Sequence, residues 1–226
     1  MSARRSTAGP LHLAIYAEIK RSVLAGEIAP GAVLSEAEIS RRWSVSRTPV
    51  REALRQLEVD DIIAWEPRRG ATVARVTVRS LRDVVELRIA LESLSARLAA
   101  ERAGKADVEE MAGILAGIEA AHQAGDIAAT IELDDAFHRR IALASGNRLL
   151  TSASERLLDR VRFARSMVRN IPGRQEEFGR EHAAILEAIA ARDGKAAGEA
   201  ITAHIERSRE RLLEMLERSG GADLSY

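Results

Sequence analysis

The stretch Ser46-Arg47-Thr48-Pro49-Val50-Arg51-Glu52-Ala53-Leu54-Arg55-Gln56-Leu57 reads as an amphipathic helix. Val50, Ala53, Leu54 and Leu57 recur at i, i+3, i+4 and i+7, which places them on one face. Arg47, Thr48, Arg51, Glu52 and Arg55 then fall on the opposite side or at the helix start. Thr48 is the expected N-cap, with Pro49 pre-organised just inside it. An arginine on such an edge can fork the O6 and N7 atoms of guanine in a major groove, and a helix N-terminus can receive a phosphate. A charged face is more often merely solvated, with Arg51 paired to Glu52 or Glu58. The neighbouring segments decide between these readings.

Upstream, Leu13, Ile15, Ile19, Val23 and Leu24 predict an amphipathic first helix that stops near Gly26, and Pro30-Gly31 predicts a turn. Ser35 with Glu38 forms a capping-box signature, and Leu34 can staple onto Ile39, so a second helix starts here and ends by Trp43. Downstream, Ile62 to Trp65 predicts a strand, Glu66 to Gly70 a loop and Ala71 to Val76 a returning strand. Helix, helix, helix, hairpin is the winged helix-turn-helix order. Arg68 and Arg69 at the hairpin tip, with Gly70 allowing close backbone approach, add phosphate or minor-groove contacts. Together with the basic helix, they point to sequence-specific duplex binding.

The whole chain is electrically neutral, 34 Lys and Arg against 34 Asp and Glu, so no global charge steers it to a polyanion. Residues 1–75 nevertheless carry 12 basic against 9 acidic residues, leaving the remainder with a matching acidic excess. Aromatics at 3% argue against a base-stacking platform for single strands. Zero cysteines exclude a disulfide framework, a thiolate zinc site, an iron–sulfur cluster and a cysteine nucleophile. The short polar start from Met1 to Pro10 and the lack of a long apolar run predict a cytoplasmic protein without membrane spans.

From Ser80 onward, Ala, Leu, Glu and Arg with apolar residues at three and four residue spacing predict a succession of helices, broken at Pro172-Gly173. The expected architecture is mainly α. A winged helix-turn-helix domain covers residues 1–76, and an all-α antiparallel helical bundle covers residues 77–226. Asp134 and His138, four apart, project from one helix face, as a shared metal ion requires. His182 and His204 each sit among apolar residues on later helices. One divalent ion would satisfy all three imidazoles. Alternatively, each is a separate core histidine bonded to a carbonyl, Glu181 or Glu206. The tail helix from Arg207 to Arg218 alternates charge and reads as a solvated face.

Two resemblances sharpen these expectations. Pro30-Gly31 to Leu34, Glu38-Ile39, Val45 to Leu54, Leu57 and Pro67 to Gly70 resemble the DNA-binding domain of the GntR family of bacterial transcription regulators, over about Leu11 to Val76. This resemblance implies that Arg47, Thr48 and Arg51 read the operator, with Gly70 at the wing. Ala37 stands where relatives often carry a DNA-contacting arginine, and Asp60-Asp61-Ile62-Ile63 replaces a Glu-Gly-Leu type run.

Arg88-x-x-x-Glu92, Asp134 to His138, Ser145-Gly146-Asn147, Glu181-His182 with Ile185 and Ile189, and Ala203-His204 resemble the FCD effector domain of the FadR subfamily, over roughly Ser80 to Leu216. By that resemblance Asp134, His138, His182 and His204 hold a divalent ion: zinc, with nickel or manganese as alternatives. Arg88, with Arg162 as a further candidate, holds the carboxylate of a small organic acid. The implied function is a homodimeric, ligand-responsive regulator of double-stranded operator DNA, with repression the commoner behaviour. The rivals are a metal-dependent hydrolase fused to a DNA-binding domain, with Asp135 or Glu181 as base, and a constitutive DNA binder with a structural metal.

Overall fold

The computed structural model describes residues 10–75, 77–166 and 175–219, with side chains 165–166, 175–177 and 215–219 left aside. The predicted break at Pro172-Gly173 and the end of the second strand at Val76 lie outside the described residues. The elements in order are α1 (Leu11–Leu24), α2 (Glu36–Trp43), α3 (Arg47–Val59), β1 (Ile63–Glu66), β2 (Gly70–Val73), α4 (Val78–Arg102), α5 (Lys105–Gln123), α6 (Ile127–Ala144), α7 (Arg148–Ser166), α8 (Gln175–Ala190) and α9 (Gly194–Ser219). The chain divides into two compact units, Met1–Val76 with Arg162–Arg169, and Thr77–Val161 with Asn170–Tyr226.

In the first unit α3 is the centre. Val50, Ala53, Leu54 and Leu57 are all fully buried, and α3 packs on α1, α2 and β1. The side chain of Ser35 accepts the Glu38 N–H at 3.3 Å, so one half of the predicted capping box forms. The start of α3 corrects the sequence reading. Its N-cap is Ser46, Arg47 is the first helical residue, and no side chain caps the helix. Pro49 therefore occupies the third helical position, where its missing N–H removes one of the two donors that an N-cap side chain can bond.

The hairpin pairs Ile63 with Val73 through Glu66 with Gly70, one residue later on its first strand than the sequence suggests. The chain after Pro30 adds a piece of sheet that the sequence does not announce. Val33 bridges Thr72, the Gly31 N–H donates to Val73 O, the Leu34 N–H to Ala71 O, and the Val73 N–H to Ala32 O. A bridge this short leaves no alternating apolar run to detect. Asp60 caps α3 and is bonded by the Tyr16 hydroxyl, with Lys20 Nζ 3.6 Å away, so it ties the end of α3 back to α1. Asp61 adopts φ +55°, the left-handed region in which Asp is among the better tolerated side chains.

In the second unit α4 packs against α6, α8 and α9, and α5 against α6 and α8. A reciprocal Thr77/Ser80 capping box starts α4. Its buried stripe, Leu81, Val85, Arg88, Glu92, Ser95, Ala96 and Ala99, combines apolar residues with one ion pair. Two glycines let α9 approach α4 closely. A Cβ on Gly194 would lie 3.2 Å from the Arg97 carbonyl oxygen, and one on Gly198 2.9 Å from Arg97 Cγ. Arg192, at φ +58°, donates to the carbonyls of Glu101 and Ala103 at 3.0 and 3.2 Å, closing the C-terminus of α4. Replacing Arg192 with Ala is expected to cost about 1–2 kcal/mol in urea unfolding. An unchanged midpoint would show that this cap contributes nothing. No helix among the described residues is long and apolar enough to cross a membrane.

Candidate metal centre and nucleic-acid interface

Asp134 and His138 lie one turn apart on the buried face of α6, His182 comes from α8 and His204 from α9. Packing of α8 against α9, and of α4 against α6, α8 and α9, brings these helices together. One ligand atom from each of the four residues lies within 4.8 Å of the others, and all four residues are buried. Ligand atoms about 2.0–2.2 Å from one ion stand roughly 3–4.4 Å apart, so a contraction of a few tenths of an ångström suffices.

The second ring nitrogens explain why the rings face inward. His138 Nδ1 meets Glu92 Oε2 at 2.6 Å, His204 Nδ1 meets Glu181 Oε2 at 2.9 Å, and His182 Nδ1 meets the Phe178 carbonyl at 2.9 Å. Each is an acceptor, so each Nδ1 carries the proton it offers, and Nε2 is the metal-facing atom. The Nε2 atoms of His138, His182 and His204 are buried and make no hydrogen bond; His182 Nε2 lies 2.9 Å from Asp134 Oδ1 without hydrogen-bonding geometry. Three inward Nε2 atoms beside a carboxylate, once His138 has given up its proton, fit a divalent ion of borderline softness. The separate-histidine alternative holds only in part: His182 bonds a carbonyl and His204 bonds Glu181, whereas His138 meets Glu92 and the three rings lie together.

Two arginine–glutamate pairs back this shell. Arg88 Nε donates to Glu92 Oε1 at 2.6 Å, with Arg88 3% and Glu92 4% exposed, so the i,i+4 bridge forms in the core. Arg211 forks Glu181 with two bonds of 3.1 Å, and Arg207 approaches the same carboxylate at 3.2 Å. This corrects the reading of the tail as a solvated face. Arg207 and Arg211 follow His204 by three and seven residues, a helical spacing that carries the signal. Burial favours a neutral Glu181, but His204 and Arg211 outweigh it and lower its pKa to about 2. Both oxygens of Glu181 are thus engaged, by His204, Arg207 and Arg211.

Burial also favours a neutral His138, but Glu92 and Asp134 outweigh it and raise the ring to about 9. Burial, reinforced by the two neighbouring imidazoles, lowers His204 to about 3. Arg162, half-buried on α7, groups with the first unit, apart from the unit that carries the cluster.

On the first unit, Arg47, Thr48, Arg51 and Arg55 are exposed along α3, and Arg68 is exposed at the wing tip at φ +67°. Arg47, Arg55 and Arg68 have no charged partner among the described residues. Arg51 pairs not with Glu52 or Glu58 but with Glu36 of α2. Arg69 is held inside the wing by Glu66 at 2.6 Å and the Gly31 carbonyl at 3.1 Å, and Gly70 sits at φ +84° beside it.

Comparison with known proteins adds the context. Residues 11–73 match the bacterial regulatory proteins of the gntR family, and residues 83–207 match the FCD domain. The HTH-type transcriptional regulator YdhC of Bacillus subtilis is 29% identical over 92% of this chain and 93% of its own. The HTH-type transcriptional repressor RspR of Escherichia coli is 30% identical over 93% and 92%. Among solved structures, McbR/YncC of E. coli superposes with a TM-score of 0.76 at 24% identity, covering 92% of this chain and 99% of that one.

Proposed function

Because the chain belongs to the GntR family of DNA-binding transcription regulators and carries its FCD domain, we propose that it is a metal-containing repressor whose operator affinity responds to a small organic acid. The observation that carries this reading is the convergence on Asp134 of three buried Nε2 atoms that make no hydrogen bond. Asp134, His138, His182 and His204 would hold the ion, zinc first and nickel or manganese as alternatives. When bound, the ion supplies a Lewis-acidic point to which a carboxylate can add. Arg88 would hold the carboxylate, and Glu92 already pairs with it. The relatives are transcription regulators, which leaves the hydrolase alternative without support.

Arg47, Thr48, Arg51 and Arg55 would meet the major groove, and Arg68, Arg69 and Gly70 the flanking backbone, of a two-fold operator bound by a homodimer in the cytoplasm. The outer face of α4 supports a second copy. Val84, Leu87, Leu91, Leu94 and Leu98 follow a 3-4-3-4 spacing, with Leu87 47% and Leu94 43% exposed. Effector binding shifts operator affinity only in so far as the acid binds the two arrangements of the protein differently.

The test is operator binding by the metal-loaded full chain across a panel of small carboxylates. Arg47→Ala is expected to weaken specific binding by roughly tenfold or more, in line with about 1–3 kcal/mol for a base contact. At least one acid is expected to release the DNA. Unchanged affinity across the panel would leave a constitutive binder with a structural metal, a reading that the already satisfied Arg88–Glu92 pair favours.

A further inference from the structure

Of the three exposed arginines on α3, one is braced. Arg51 Nε lies 2.9 Å from both carboxylate oxygens of Glu36, while its two Nη groups make no hydrogen bond among the described residues. Arg47 and Arg55 have no such carboxylate. Glu36 is itself held in place. It is the first residue of α2, where the helix dipole favours a negative charge, and its side chain is only 20% exposed against 59% for Arg51. The brace therefore runs from a fixed point on one helix of the motif to a guanidinium on the next.

Guanidinium has five donors in a rigid plane. A carboxylate on Nε fixes that plane and leaves the Nη1/Nη2 edge, the pair of donors that can fork guanine O6 and N7, facing away from Glu36. An unbraced arginine must give up rotamer freedom on binding and can settle on a phosphate as easily as on a base. The carboxylate also repels the DNA backbone, which penalises any complex in which Arg51 has not found a base to repay it.

We propose that Glu36 is a specificity-determining positioning residue that commits Arg51 to reading a base and holds down binding to non-cognate DNA. The inference rests on the operator-reading role of Arg51 proposed above. It assigns Arg47 and Arg55, which lack a brace, the more adaptable contacts.

The test selects duplexes from a randomised pool with the full chain, then measures affinity for the recovered site, its single-base variants and a scrambled duplex. Wild type, Glu36→Gln, Glu36→Asp, Arg51→Ala and the Glu36→Gln/Arg51→Ala double variant are compared, with thermal unfolding of each. Arg51→Ala identifies the base pair that Arg51 reads as the one whose preference disappears. Glu36→Gln is expected to flatten preference at that same base pair by roughly fivefold to a hundredfold. It should leave the other positions intact and bind the scrambled duplex at least as tightly as wild type. The double variant should match Arg51→Ala, because the two residues act as one unit.

Full retention of that preference in both Glu36 variants would overturn the proposal and leave Glu36 as a strut between α2 and α3, visible only as a lower melting temperature. An Arg51→Ala profile identical to wild type would overturn the role of Arg51 itself, and the proposal with it.

Discussion

Chelating divalent ions from the full-length protein is expected to lower its thermal midpoint, and excess zinc to restore it. At a free ion concentration a hundredfold above Kd, binding to the native state alone contributes about 2.7 kcal/mol, or roughly 5–11 °C for a unit of this size. The reason lies in the cage. Four buried polar side chains converge, and the Nδ1 partners of the three histidines keep the rings from turning elsewhere for bonds.

A pH signature accompanies the shift. In the ion-free state His138 is raised to about 9, so at neutral pH an arriving ion must displace its proton, and ion affinity rises with pH toward 9. A raised histidine contributes stability that is complete below its ordinary value near 6.5 and is lost as pH climbs through about 9. Chelated protein should therefore lose stability across that window, and loaded protein should not. His182→Ala removes one Nε2 while leaving both carboxylate buttresses, and should abolish the response to chelator. Identical melting curves and pH profiles with and without chelator would dispose of the metal centre.

The parts of this arrangement legible in the sequence are those that helical periodicity controls. Val50, Ala53, Leu54 and Leu57 follow from spacing alone and are fully buried. Asp134 and His138 share a face because they are four apart on one helix. His182 and His204 could be placed on apolar faces, but their meeting depends on how α8 packs on α9, which no local pattern encodes; resemblance supplied it. The start of α3 is not legible because Pro49 suits the first helical position, yet the third position tolerates it equally when no N–H is needed there. Glu36 as the partner of Arg51 lies fifteen residues away across a helix junction, beyond any i,i+4 rule. The Arg211–Glu181 fork was readable in part, since 204, 207 and 211 lie on one helical face, but charge alternation along the tail masked it.

Arg88→Met is expected to destabilise the second unit by about 3–5 kcal/mol, the usual cost of removing one partner from a buried ion pair. On an exposed helix an arginine four residues before a glutamate would contribute little. Here both groups are in the core, and Glu92 also ion-pairs with His138 Nδ1 at 2.6 Å, so losing the guanidinium leaves a buried carboxylate with one imidazole. Arg88 and His138 outweigh the burial that favours a neutral Glu92 and hold its carboxyl well below the usual range. That preference for the charged form makes the unpaired state costly.

Arg88→Met/Glu92→Gln is expected to recover most of the loss, because the amide oxygen can still accept from His138 Nδ1 and no unpaired charge remains. The double variant also separates architecture from sensing. If an effector carboxylate acts by competing with Glu92 for Arg88, this protein should bind operator DNA as wild type does yet ignore every acid that releases the wild type. Urea unfolding and operator binding on the same three proteins decide both points. A single variant within about 0.5 kcal/mol of wild type would mean that the pair is not a buried strut, and a double variant still released by the acid would place the effector's carboxylate away from Arg88.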